Sequence, residues 1–154
     1  MTAKEMQQEA AIYLSRYRSA QGEVRDIERR IEHVRDEMMG VKGISYEGGN
    51  MPKARDVERD LSDYAAKIDD LLRGWQKARL RAIETMRDIS EIIEGVEHGQ
   101  ARRVLMLHFI DGHTYEKAAR LIPCANDTVY RYRRIGLQRA AEIINEKSVG
   151  NRSV

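Results

Sequence analysis

Thr114–Leu137 reads TYEKAARLIPCANDTVYRYRRIGL, and its apolar residues fall where two helices joined by a tight turn need them. Ala118 and Ala119 sit midway along a first short helix, which Ile122 closes. Pro123 and Cys124 occupy the turn, and Val129 and Tyr132 open the buried face of a second helix. Helices that cross steeply leave little room at their contact, so the small Ala119 is expected there. Thr114 has the hydroxyl to cap the first helix by accepting a bond from an orphan N–H. The second helix carries Asn126, Asp127 and Thr128 in its first turn, then Tyr130, Arg131, Arg133 and Arg134. An amide, a carboxylate, a hydroxyl and three guanidiniums are groups that suit a helix lying in a major groove.

Outward from this stretch, Ala101–Ile110 is dense in apolar residues (Val104, Leu105, Leu107, Phe109, Ile110) and predicts a supporting helix. Asp111-Gly112 ends it, with the glycine in a C-cap role. The second helix of the motif is expected to run from Asn126 to about Asn145. Leu137, Ala140, Ile143 and Ile144 continue its inner face, and Ser148–Val154 reads as a polar, frayed tail.

The segment VLMLHFIDGHTYEKAARLIPCANDTVYRYRRIGLQRA resembles the DNA-binding region 4 of sigma-70-type factors. It is similar to the phage-encoded late-gene activators of the RinA and ArpU kind, which borrow that region. The matching residues are Val104–Ile110, Asp111-Gly112, Tyr115, Ala118-Ala119, Thr128–Arg131 and Leu137. The match covers the last third of the chain, and the remainder resembles the family only in layout. Pro123 stands where the family has Gly in the turn, and Ala125 where it has a capping Ser. Proline cannot take the positive φ of a turn glycine, so a remodelled turn with Asn126 as the cap is expected. The resemblance implies a phage or prophage regulator of late genes in the bacterial cytoplasm, acting on promoter DNA with host RNA polymerase as a further partner.

Arg131 and Arg134 lie three apart and project from one helix face, with Asp127 and Tyr130 on or near it. The candidates for base readout are therefore Asn126, Asp127, Thr128, Tyr130, Arg131 and Arg134. Thr114, Tyr115, Lys117 and Arg133 are candidates for phosphate contact. Asp127 discriminates: it can accept from cytosine N4 and otherwise repels phosphate.

The charge distribution agrees with this division. The net charge of +2 is the sum of −1 over residues 1–52, −2 over 53–97 and +5 over 98–154, where ten Lys/Arg face five Asp/Glu. Basic excess concentrated beside one motif is the electrostatic footprint of a polyanion partner.

The N-terminal two thirds have a different pattern. Met6, Ala10, Tyr13, Tyr17, Ala20, Val24, Ile27, Ile31, Val34 and Met38 are spaced alternately by four and three, with charged flanks. That heptad rhythm predicts a coiled-coil helix over Ala3–Met38. Gly40–Pro52 interrupts it with four glycines and a proline, a loop long for a helix–helix connection. The heptads resume at Ala54, Val57, Leu61, Tyr64, Ile68, Leu71, Trp75, Ala78 and Ala82, weaken at Thr85, and continue through Ile89, Ile92 and Val96. A first helix of roughly 54 Å, at about 1.5 Å per residue, folds back to reach Asp88.

The expected fold is all-α: an N-terminal antiparallel coiled-coil helical hairpin over 1–88 with its loop at 40–52, a helix-turn-helix domain over 89–147, and a flexible tail over 148–154. Leu14, Ala65 and Leu72 stand beside the seam, where a second hairpin would cover them, so a homodimer is expected.

Other chemistries find little support. Gly48-Gly49 leads to Asn50-Met51-Pro52 without the lysine of a phosphate-binding loop. His98, His108, His113 and Cys124 lack metal-ligand spacing, and no nucleophile–base pair is visible, so neither metal, cofactor nor enzymatic activity is expected. The single Cys suits a reducing compartment, and no run approaches the ~18 apolar residues of a membrane span. Two other functions fit the layout: a packaging-site recognition subunit of a phage terminase, and a helical adaptor that binds only protein.

Overall fold

A computed structural model describes residues 1–42 and 54–152. Their regular structure is entirely helical: α1 (Ala3–Leu14), α2 (Arg16–Lys42), α3 (Ala54–Glu94), α4 (Gly99–Leu105), α5 (Tyr115–Leu121) and α6 (Asn126–Arg152), with a π-helical stretch, Met106–Ile110, prolonging α4. The protein is all-α, with no strand among the described residues. None of these helices is long and apolar enough to cross a membrane. The chain divides into two compact units, one of Met1–Ala20 with Ala82–Val154, the other of Gln21–Arg81.

In the first unit α1 opens with a reciprocal cap. Thr2 Oγ1 accepts from the Glu5 N–H at 3.2 Å, and Glu5 Oε2 accepts from the Thr2 N–H at 2.9 Å. The heptads predict one helix from Ala3 to Met38, but Ser15 separates α1 from α2. Its hydroxyl donates to the Ile12 carbonyl at 2.7 Å, a back-bond that bends helices. α1 packs along α6. Ala10, Leu14 and Tyr17 join Ile89, Ile92, Ile93, Val96, Leu105, Phe109, Leu137, Ala140 and Ile143 in one core. Leu14, expected to await a second hairpin, is thus fully buried within its own chain. Each such Leu or Ile contributes about 1.5–3 kcal/mol on burial.

The same core explains where α3 and α6 end. The second stripe places the end of the hairpin at about Asp88 and gives Ile89–Val96 to the C-terminal domain; α3 runs on to Glu94, and Ile89, Ile92 and Ile93 are fully buried in the core of the first unit. Similarly, α6 passes Asn145 and runs through the expected tail to Arg152. Lys147 anchors that extension, with Nζ 3.2 Å from Glu91 Oε2 and 3.5 Å from Asp88 Oδ1. Asp88 also accepts from Tyr13 Oη at 2.5 Å, which links α1 to the same cluster.

The second unit has less to bury. Ile31 and Ala78 are buried, but Val24, Ile27, Val34 and Met38 of α2, and Leu61, Tyr64, Ile68, Leu71, Leu72 and Trp75 of α3, are only half-buried. Ala65 is exposed. Arg81 Nη2 lies 3.5 Å from Glu23 Oε1, and Val34 and Leu71 line one shallow groove. The Glu23–Arg81 pair is exposed and contributes at most about 1 kcal/mol. Trp75 Nε1 is buried with no acceptor among the described residues, a cost of about 1–3 kcal/mol. The loop predicted over Gly40–Pro52 lies, from residue 43 on, outside the described residues, as do the side chains of Ala54 and Val57.

Candidate functional site

The basic end of the chain is assembled on α4, α5 and α6. His98 caps α4, its Nδ1 accepting the Ala101 N–H at 3.1 Å. The following π turn is closed by Asp111 N–H to Met106 O at 3.0 Å and His113 N–H to Leu107 O at 2.9 Å. Gly112 ends it with φ +79°, a left-handed conformation that glycine adopts without strain. This is the C-cap role its place after Asp111 predicts.

Thr114 then caps α5 as expected, its Oγ1 accepting from Lys117 N–H at 3.2 Å. Ala118, Ala119, Ile122, Val129 and Val104 form a second small core, so Ala119, the small residue expected where the two helices meet, is buried in one cluster with Val129 of α6. The turn to α6 holds no positive φ: Ile122 has φ −102° and the Cys124 N–H donates to Ala119 O at 3.1 Å. Pro123 is compatible with such a turn because no left-handed residue is required. Asn126 is not the cap. It is the first residue of α6, and the carbonyl that starts the helix belongs to Ala125, accepting from the N–H groups of Thr128 at 3.0 Å and Val129 at 3.2 Å.

The predicted site residues fall into two groups. Asn126, Asp127, Tyr130, Arg131 and Arg134 are exposed, and at 3.6 residues per turn they span an arc of about 140° on α6. Arg131 lies over the Tyr132 ring, 5.5 Å from its centroid. Thr128 is half-buried and stands beyond that arc, so its hydroxyl does not share the face. Asp127 sits in the first turn, where a carboxylate complements the helix dipole. On α5, Lys117 and Thr114 are exposed.

Tyr115 and Arg133 form the second group, tied to each other. Arg133 Nε donates to Tyr115 Oη at 3.0 Å, and its guanidinium lies 5.2 Å from that ring's centroid. The other face of the cluster is His108, stacked on Tyr115 at 4.0 Å and 15°. His108 Nδ1 lies 2.8 Å from the His113 carbonyl, so in the neutral ring that nitrogen carries the proton. Burial lowers the His108 pKa, and the charges of Arg133 and Arg18 lower it further, against the opposing pull of the His113 carbonyl. Burial likewise raises the Tyr115 hydroxyl, although Arg133 acts in the opposite sense.

Electrostatically, the first unit is divided. Arg139 is held by Glu97 in a two-pronged contact at 2.9–3.1 Å and by Glu142 at 3.0 Å, and Lys147 by Asp88 and Glu91. These pairs hold Arg139 and Lys147 of the C-terminal half of α6 against carboxylates. By contrast, Arg102, Arg103, Lys117, Arg120, Arg131, Arg133 and Arg134 form no ion pair among the described residues. Between 98 and 135 these seven cations face only Asp111, Glu116 and Asp127. Arg18, Arg102, Arg103 and Arg120 are further cations of this unit without an ion pair among the described residues that the pattern of Thr114–Leu137 did not single out. Arg120 could have been found by its spacing of three from Lys117, whereas Arg18 has no local signal. Among the described residues no group of three or more His, Cys, Asp or Glu is arranged to hold a metal.

No family model matches this chain, and no match is found among curated proteins or solved structures.

Proposed function

We propose that this chain is a sequence-specific DNA-binding transcriptional regulator. In this reading α5, the turn and α6 are a helix-turn-helix, and the outer face of α6 reads base edges. The observation that carries it is the set of seven cations on α4, α5 and the first half of α6 that form no ion pair among the described residues, against only three acids between 98 and 135. Gathered like charges are unfavourable alone and favourable against a polyanion. Asn126, Arg131 and Arg134 add side chains suited to adenine and guanine edges. The resemblance to sigma region 4 supports promoter DNA as the target and phage late-gene control as the setting.

Duplex binding by the full chain, titrated against salt, tests the proposal. If it makes four or more phosphate contacts, log K should fall against log salt with a slope steeper than about −3.5. An adaptor that binds only protein has no duplex affinity to lose, and a flat profile would sink the DNA assignment.

The helices of the second unit are read as an antiparallel coiled-coil hairpin that makes the protein a homodimer. Ten apolar residues there are half-buried, and a second copy of the same face would cover them. Leu14 no longer belongs to this argument, since α6 covers it. Two linked motifs would bind one DNA more tightly through effective concentration alone. Light scattering at micromolar concentration should therefore return twice the 17.8 kDa chain mass. A single-chain mass would move the second anchor to a different partner, such as RNA polymerase.

A further inference from the structure

We propose that Arg18 and Arg133 together seat one backbone phosphate of the bound duplex at the corner made by Gly112, an inference that rests on the DNA-binding reading above. Arg18 belongs to the start of α2, far in sequence from the basic segment, yet it lies in the same compact unit. Its guanidinium lies against Gly112, over the place where a Cβ would stand. Gly112 has a φ of +79°, which disfavours a side chain, and its bare α-carbon leaves the surface that Arg18 covers.

Arg133 approaches the same corner from α6. Its Nε is committed to Tyr115 Oη, and Tyr115 is stacked on His108. Those contacts fix the fork of the guanidinium while leaving its outer N–H groups for another acceptor. His108 links this side to the corner, for its ring stacks on Tyr115 and its Nδ1 lies 2.8 Å from the carbonyl of His113, the residue after Gly112. Burial is the larger influence on that ring and favours its neutral form, so it adds no third charge.

Neither Arg18 nor Arg133 forms an ion pair among the described residues. Two guanidiniums on one cluster, with no carboxylate bound to either, favour an anion there. Arginine forks match phosphate geometry in particular. A phosphodiester of the duplex is favoured as that anion because the corner continues into the proposed interface. Gly112 leads directly to Thr114 and Tyr115 of α5, and Arg133 adjoins Arg134 on α6. Arg18 is also exposed, which suits a backbone running across the surface.

The test is salt-dependent duplex binding by the full chain, comparing the parent with Arg18→Ala and Arg18→Glu on a cognate and an unrelated duplex. Removing one phosphate contact should reduce the slope of log K against log salt by about 0.9 and weaken both duplexes by the same factor. Arg18→Glu should weaken both further. Circular dichroism melts of both variants should match the parent, as expected for an exposed side chain. Parent binding that is steeply salt-dependent, with Arg18→Ala unchanged in slope and affinity, overturns this site and leaves the DNA assignment intact. Loss confined to the cognate duplex also overturns it, because a phosphate contact carries no sequence. A parent with no salt-dependent duplex binding overturns both.

Discussion

Leu105→Ala is expected to destabilise the full chain by about 2–5 kcal/mol, the range for truncating a buried leucine. Leu105 is fully buried where α4 meets α6, in the core that also takes in α1 and the end of α3. Its partner across the contact is Gly136, which is also buried. A Cβ on Gly136 would lie 3.0 Å from both Cγ and Cδ1 of Leu105, and 3.3 Å from the Ala101 carbonyl oxygen. That closeness makes a second, sharper expectation possible. In the parent, Gly136→Ala sets a crowded methyl against a helix-propensity gain of about 1 kcal/mol. In the Leu105→Ala background the crowding from Leu105 is gone, and the same substitution should stabilise. Urea denaturation of the four proteins in the cycle measures both effects, and the coupling should be at least about 0.5 kcal/mol. Additive single effects would mean that Leu105 and Gly136 are not packed as described. A Leu105→Ala loss below about 1 kcal/mol would mean that α4 is not held by this core.

What could be read in the sequence is what short-range physics decides. Thr114 as a cap, Gly112 as a C-cap and the Ala118/Ala119/Val129 packing depend on residues within about two helical turns of each other, where side-chain period and cap chemistry dominate. The all-helical class follows for the same reason. The partner of the first stripe could not be read. Ala10 and Tyr17 have the spacing of a coiled-coil seam, but that spacing is equally the inner face of a helix packed on α6. Leu14 was the distinguishing residue, since an apolar side chain beside the seam must find another surface. Beyond its own neighbours, the core it joins begins at Ile89, 75 residues on, beyond any periodicity. Arg18 was hidden with it, because its place beside Gly112 depends on that docking. The link between Tyr115 and Arg133 was hidden too, since two residues each suited to phosphate give no sign that one holds the other.

Arg131→Ala combined with Arg134→Ala is expected to abolish most of the discrimination between a cognate site and unrelated duplex. Both side chains are exposed and lie on the same arc of α6 as Asn126 and Tyr130. Neither is held by an ion pair among the described residues, so neither must be released before it can reach a base. A guanidinium contacting a guanine edge contributes about 1–3 kcal/mol of discrimination, so the pair contributes about 2–6 kcal/mol if the contacts are independent. On the cognate site that is a loss of roughly 30-fold to 20,000-fold. Unrelated duplex should lose far less, through the salt-dependent charge alone. Arg133→Ala serves as the contrast. Its guanidinium braces Tyr115, so its removal should weaken cognate and unrelated duplex together and leave the preference between them intact. Fluorescence anisotropy with both duplexes at one fixed salt concentration distinguishes the two patterns. If the double variant keeps the parent's preference while losing affinity uniformly, Arg131 and Arg134 touch phosphates, and the base-reading residues must be sought among Asn126, Asp127 and Tyr130 on the same face.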